Sequence, residues 1–347
     1  VKMHKKNKNY WTFMLKRTNI ELTVKRNKKQ EGNKRMKGNV IVGQSGGPTA
    51  AINASLAGVY RTAKDRGANK VYGMLHGIQG LLKEKYIDLS DHIKTELDAE
   101  LLKRTPAAFL GSCRYKLPEI HENREVYDKI FEILDKLDIE AFIYIGGNDS
   151  MDTVDKLNTY AKAVGKDVKI VGIPKTIDND LCITDHTPGY GSAAKYVAST
   201  LLEIGHDTSI YPINSVTIVE IMGRDAGWLT GASVLARNKY NHAPHLIYLP
   251  EVAFDEAQFI EDVREAIKKY NNVVIAVSEG IKNAEGKYIS ATSAVEDTFG
   301  HSQLSGTGKC LEYIIKQNLQ VKVRSVEINI LQRCAAHMSC LLYTSPS

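Results

Sequence analysis

The chain has 347 residues, 43% of them hydrophobic and 25% charged, with 26 glycines and nine prolines. That balance excludes low-complexity and collagen-like sequences, and the length suits two α/β domains of ordinary size. The net charge of +6 is lopsided: residues 1–35 carry twelve Lys/Arg and two Glu, leaving 34 basic and 38 acidic side chains for the rest.

A basic arm can bind RNA or a membrane surface, but this one has neither apolar periodicity nor the small-residue cleavage site of a signal peptide. MKGNVIVGQSGG opens as a first strand should, so Met36 is read as the start and 1–35 as a leader outside the native fold. No apolar run reaches the ~20 residues of a membrane span. Neither a nucleic acid nor a membrane is expected as a partner. The five cysteines (Cys113, Cys182, Cys310, Cys334 and Cys340) contain no CxxC pair. They suggest neither a disulfide framework nor a zinc site and fit a reducing cytoplasm.

From Val40 onward, short β-branched runs alternate with helical patterns. VIVG precedes a helix over 49–66, VYGML follows, and a helix over 124–137 leads to AFIYIGG. A helix over 151–164 precedes VKIVGIP, and another covers 191–206. A second series runs SVTIVEIM, helix 226–237, HLIYLP, helix 255–270, VVIAVSEG, helix 304–319 and VRSVEIN. This is the pattern of parallel sheets covered on both faces. It predicts an α/β protein of two similar Rossmann-like domains, 36–187 and 188–338, joined near TPGYGS, with a cleft between them. The last residues, SCLLYTSPS (339–347), are read as a foreign tail. Chemistry should gather where strands end, because loops converge there and helix N-termini point at them.

GQSGGPTAAIN (43–53) follows the first strand, and Gly43, Gly46 and Gly47 would let backbone N–H groups approach an anion. The same residues also suit a tight strand-to-helix turn with Pro48 at the first helical position. In GGNDSMDT (146–153), Asn148, Asp149 and Ser150 project oxygens at a helix N-terminus. Capping needs one such group and no paired glycines, so a divalent-cation or phosphate site is plausible there. PKTIDND (174–180) supplies Lys175, Thr176, Asp178 and Asp180. One aspartate could accept a proton from an attacking hydroxyl while the other holds Mg²⁺; an Asx-rich turn is the blander account. Carboxylates so close resist joint ionisation, so Lys175 or a metal is expected beside them.

GYGSAA (189–194) mimics a dinucleotide fingerprint but follows no strand, and is read as a helix start. EIMGRDAG (220–227) and VSEG (277–280) bring Met222, Gly223, Arg224 and Glu279 to strand ends, and arginine there suits a phosphate or hydroxylated substrate. GTGKC (306–310) fails as a Walker loop and is read as an exposed turn. Five loops at corresponding strand ends, with Lys175, Arg224 and Arg114, suit phosphoryl transfer.

GGNDS, PKTIDND, EIMGRDAGW and SEG, in this order and spacing, closely resemble the phosphofructokinase family from about Met36 to His337. The resemblance implies two similar α/β domains that phosphorylate fructose 6-phosphate on its 1-hydroxyl with Mg²⁺. It also implies a homo-oligomer, dimer or tetramer. Carried over by position, Asp178 resembles the base, Asp180 a metal-associated carboxylate, and Thr176 a contact to the transferred phosphoryl. Met222, Gly223, Arg224 and Glu279 match sugar-binding residues. Arg114 in LGSCR matches an arginine reaching the phosphates, and Arg333 in LQRC one that grips the sugar 6-phosphate. Gly46, Gly47, Asp149 and Ser150 would line the donor site.

Members using ATP resemble GGDGS and PGTIDND, with glycine where this chain has Asp149 and Lys175; members using pyrophosphate carry Asp and Lys there. An Asp149 carboxylate would fill the space of a nucleotide α-phosphate and repel it. Two unit charges ~4 Å apart at an effective dielectric of ~20 repel by about 4 kcal/mol, near a thousandfold in affinity. Pyrophosphate is therefore the expected donor, with Lys175 adding positive charge for it. An ATP-dependent enzyme and a catalytically silent sugar-phosphate-binding subunit are the alternatives. Three departures stand out. Asn148 replaces a magnesium-associated Asp, leaving the metal to Asp149 and Asp180. Ser215 stands where the bacterial ATP enzymes place a phosphate-gripping arginine. The family continues past QRC, so a C-terminally truncated form is expected.

Overall fold

Each strand forms over a β-branched or aromatic run, and period-2 alternation feeds its two faces to different helices. The computed structural model describes residues 35–290, 306–335 and 337. The expected leader, save Arg35, and the expected tail lie outside these residues, as do positions 304–305 of the last predicted helix. The first half runs β1 (Asn39–Gln44), α1 (Ile52–Asp65), β2 (Val71–Met74), α2 (Gly77–Leu81), β3 (Tyr86–Asp88), α3 (Glu96–Arg104), α4 (Arg124–Lys136), β4 (Ile139–Gly146), α5 (Asn148–Ala163) and β5 (Lys169–Pro174). The second runs α6 (Tyr190–Ser209), β6 (Ser215–Ile221), α7 (Trp228–Ala232), β7 (Leu246–Tyr248), α8 (Glu256–Lys269), β8 (Asn272–Ser278), α9 (Thr307–Asn318), β9 (Lys322–Glu327) and α10 (Leu331–Cys334).

The strands make two sheets, ordered β3-β2-β1-β4-β5 and β7-β8-β6-β9, parallel throughout except for β3 against β2. In the first sheet β1 lies between β2 and β4. The loops leaving β1 and β4 therefore part toward opposite faces and open a crevice at the strand ends. Ile41 packs with Tyr127, Phe131 and Leu157 from α4 and α5, while Val40 and Val42 pack with Ile52, Leu56 and Leu102 from α1 and α3. The second sheet is covered in the same way. Val219 and Ile221 meet Val197, Leu201 and Leu229, and Val216 and Ile218 meet Phe259, Val263, Leu311 and Ile315. The alternation predicted from sequence is thus the alternation found, in two sheets whose central strands are buried on both faces, while the edge strand β9 stays largely exposed.

Several boundaries differ from the sequence expectation. The helix expected over 49–66 begins at Ile52: Ala51 N–H donates to Thr49 Oγ1 and Ile52 N–H to Thr49 O, closing a turn first. Pro48 therefore sits in the loop and not at the first helical position. The helix expected from 151 begins at Asn148. The helix expected over 226–237 shortens to α7 and a 3₁₀ turn, Ser233–Ala236, because Ala226 N–H closes a tight turn onto Gly223 O. GTGKC is not an exposed turn. Thr307 opens α9 fully buried, and Gly308 N–H donates to the buried Glu220 carboxylate at 2.7 Å. GYGSAA starts α6, as expected.

Candidate active site

The loop after β1 is fastened from beneath. Gln44, fully buried, donates from its side-chain amide to Asn53 Oδ1 (2.9 Å) and accepts from Leu110 N–H (2.9 Å). Asn53 in turn donates to Thr105 O and Ala107 O. Gly46 N–H donates to Cys113 O at 3.2 Å, and Ser112 Oγ donates to Gly46 O at 2.6 Å. These bonds dock the segment carrying Arg114 against the glycines of the first loop. Its far side is held by Lys156 of α5, which donates to Leu117 O at 3.1 Å and pairs with Glu119 and Asp152, each at 2.8 Å. Those two carboxylates hold the Lys156 ammonium protonated, its pKa raised despite the opposing effect of burial.

Gly147 is the N-cap of α5 and makes no side-chain cap bond, so neither Asp149 nor Ser150 caps the helix. All three polar residues, Asn148, Asp149 and Ser150, stand in its first turn. Asn148 Nδ2 reaches across to donate to Asp180 Oδ2 at 3.2 Å. Lys175 N–H extends the β4–β5 ladder to Gly146 O, and its side chain is only 3% exposed. Burial, then the neighbouring Arg333 charge, lowers its pKa to about 8, with Asp178 opposing. Asp178 N–H donates to Thr176 Oγ1 at 3.1 Å. Burial foremost, and then Asp180, holds the Asp178 carboxyl above the usual range; Thr176, Arg224 and Lys175 pull the other way. Between the two aspartates, Asn179 takes a positive φ of 59°. It donates to Asp185 O and accepts from Thr187 N–H, which pins the returning chain.

From the second sheet, β6 delivers Met222, Gly223 and Arg224, and β8 delivers Glu279. Glu279 is 8% exposed, and its Oε1 accepts from Gly223 N–H (3.3 Å) and Arg224 N–H (3.2 Å). Burial outweighs those two donors and raises its pKa to about 7. Gly280 permits the fit, since a Cβ there would lie 1.8 Å from Arg224 O. Arg333, half-buried on α10, crosses to the first loop: a Cβ at Gly47 would lie 2.7 Å from its Nη1. Burial and then the Arg114 charge lower its pKa.

Of the residues singled out in the sequence, Gly46, Gly47, Arg114, Asn148, Asp149, Ser150, Lys175, Thr176, Asp178, Asp180, Met222, Gly223, Arg224, Glu279 and Arg333 line one cleft of about 460 Å³, whereas Gly43 stays within β1, facing Met74 and Tyr144. Ser45, Pro48, Thr49, Gly147, Ile177, Asp225 and Ala226 complete the lining. Ser215 lies at the opposite end of β6, bonded to Asn272. The supporting residues Gln44, Asn53, Lys156 and Asn179 were not singled out; a polar residue inside an apolar stretch is the signal that marks Gln44 and Asn53. Among the described residues, no three His, Cys, Asp or Glu side chains converge as a metal cage. What converges is cationic side chains facing carboxylates, an arrangement for a phosphorylated substrate and a divalent cation carried on its oxygens.

The family profile described as Phosphofructokinase matches residues 39–339. The chain is 43% identical over 304 residues to the pyrophosphate–fructose 6-phosphate 1-phosphotransferase of Xanthomonas campestris, covering 87% of this chain and 72% of that one. It is 41% identical over 305 residues to the enzyme of the same name from Halomonas elongata, with coverage of 87% and 72%. A crystal structure of the pyrophosphate-dependent phosphofructokinase from Nitrosospira multiformis superposes with a TM-score of 0.76 at 34% identity, covering 87% of this chain and 71% of that one.

The raised Glu279 carboxyl has a thermodynamic signature. The native state holds its proton to about pH 7 and the unfolded chain only to about 4.5, so this stabilisation is complete below pH 4.5 and lost as pH rises through 7. Glu279→Gln removes that dependence. Urea midpoints should show the variant gaining on wild type by on the order of 3 kcal/mol between pH 4.5 and 8. A constant difference across this range would contradict the assignment.

Proposed function

The chain belongs to the phosphofructokinase family, and from that premise we propose that it transfers a phosphoryl group from pyrophosphate to the 1-hydroxyl of fructose 6-phosphate, reversibly. The products are fructose 1,6-bisphosphate and inorganic phosphate, a step of glycolysis. The observation that carries the choice of donor is Lys175, an ammonium 3% exposed in the same cleft as Asp149. A buried cation pressed by Arg333 calls for a compact, highly charged anion. A nucleotide would bring its α-phosphate toward Asp149, whereas pyrophosphate ends short of it. The names borne by the similar proteins from Xanthomonas and Halomonas support the same reading.

In this reading residues 36–187 hold the donor and 188–338 the sugar. Gly46, Gly47, Arg114, Asp149 and Ser150 border the diphosphate, and Met222, Gly223, Arg224, Glu279 and Arg333 the sugar phosphate. Asp178 accepts the proton of the 1-hydroxyl as that oxygen attacks the transferred phosphorus. The P–O bond to the leaving phosphate breaks, and Lys175 and Arg114 stabilise the charge left on it. Thr176 contacts the transferred phosphoryl. Burial makes Asp178 a stronger base than an exposed aspartate.

Asp149 and Asp180, with the Asn148 side chain between the two loops, form a sparse oxygen set. That fits Mg²⁺, which takes one or two carboxylates and completes its shell with water and phosphate oxygens. When bound, Mg²⁺ neutralises charge on the diphosphate oxygens. The protein is proposed to act in the cytoplasm as a homo-oligomer; among the described residues no helix is long and apolar enough to cross a membrane. Exposed Trp228 and Leu235 border an apolar hollow that a second copy could cover.

With fructose 6-phosphate and Mg²⁺, turnover is expected with pyrophosphate; turnover with ATP and none with pyrophosphate would overturn the donor assignment. Asp178→Asn should lower kcat by ~10²–10⁴-fold while leaving sugar affinity, measured by calorimetry, nearly unchanged. The double substitution Asp149→Gly with Lys175→Gly should weaken pyrophosphate use and admit some ATP. Steady-state rates with each donor decide this, and unaltered preference would refute the steric and charge account.

A further inference from the structure

Glu220 has no place in the proposed chemistry, yet its carboxylate is 4% exposed, close behind the sugar side of the cleft. It stands on the face of β6 that packs against α9, and Gly308 N–H in the first turn of that helix donates to its Oε2 at 2.7 Å. Its backbone carbonyl accepts from Ile328 N–H at 3.1 Å, holding the chain that leads from β9 to α10 and Arg333. One residue after the N-cap Gly306, Thr307 is fully buried, and its Oγ1 donates to the backbone carbonyl of Glu279 at 2.8 Å.

We propose that Glu220 is a positioning residue for sugar binding, acting through the first turn of α9 and the Thr307 hydroxyl to fix Glu279. The inference rests on the reading of Glu279 as a sugar-binding residue. An anionic oxygen at a helix N-terminus is favoured by the N–H groups and the dipole there, so the carboxylate seats the turn and the turn seats Thr307. Glu279 is then held from three directions. Its N–H donates to Ile221 O (2.9 Å), its carbonyl accepts from Thr307, and its carboxylate accepts from Gly223 and Arg224 N–H groups. This gives GTGKC, which fails as a phosphate loop, a role as the buttress of the opposite half-site. The like charge of Glu327, Glu220's register partner on β9, adds to burial in raising the Glu220 pKa. The α9 N–H groups counter both.

The test separates this link from general destabilisation and from failure of the functional reading. Wild type must first turn over fructose 6-phosphate with pyrophosphate; if it does not, the functional reading has failed, and the inference falls with it. Given turnover, Glu220→Gln, which keeps an acceptor oxygen but removes the charge at the helix N-terminus, and Thr307→Val, which removes the hydroxyl bond, should each weaken fructose 6-phosphate binding by about three- to tenfold. The KM for pyrophosphate should stay within about twofold. Thr307→Ser, which keeps the hydroxyl, should retain wild-type sugar affinity, and the double variant Glu220→Gln/Thr307→Val should bind no more weakly than the worse single one. Additive losses, equal weakening for both substrates, or unchanged sugar affinity in Glu220→Gln would overturn the inference.

Discussion

Charges of like sign held close together and partly out of water set the terms for everything else in this cleft. Arg333 depresses the protonation of Lys175, Arg114 does the same to Arg333, and Asp178 meets Asp180. Removing such groups from water is unfavourable unless partners are supplied. The cations and carboxylates supply part of this for one another, and a phosphorylated ligand with its metal ion would supply more. The fold's task is to keep these side chains in place when nothing is bound.

It does so chiefly with backbone and buried amides. Gln44 and Asn53 tie the first loop to the segment bearing Arg114, and Lys156 clamps the other flank of that segment. Asn179, between the two aspartates, pins the returning chain at Asp185 and Thr187. In the second half Glu279 is oriented by N–H groups of the adjoining loop. None of these supports needs to touch a substrate. Their work is to remove conformational freedom before binding, which is where much of the unfavourable entropy of association lies.

The parts of this arrangement legible in the sequence are those governed by local period and by strand ends. Alternating apolar runs identified the strands, and the glycine- and carboxylate-rich stretches after Val42, Ile145, Ile173, Ile221 and Val277 marked the loops that line the cleft. Contacts between distant segments left weaker traces. A proline after two glycines suggested a helix start, but the Thr49 turn delays α1 by three residues. GTGKC looked like an exposed loop because its partner, Glu220, lies 88 positions away. The elements α2, β3 and α3 carry too short an apolar period to announce themselves, although Thr95 and Asp98 form a capping box that signals the start of α3.

The approach of Arg333 to Gly47 carries an implication for inheritance. The guanidinium comes from α10 in the second half and occupies volume that a Cβ at Gly47 would require. A side chain at 47 would therefore press on the end of the Arg333 side chain and shift the guanidinium from its place. A glycine whose backbone could in principle host other residues is thereby tied to a neighbour almost three hundred residues downstream, and bulk added there would be inherited as a displaced guanidinium.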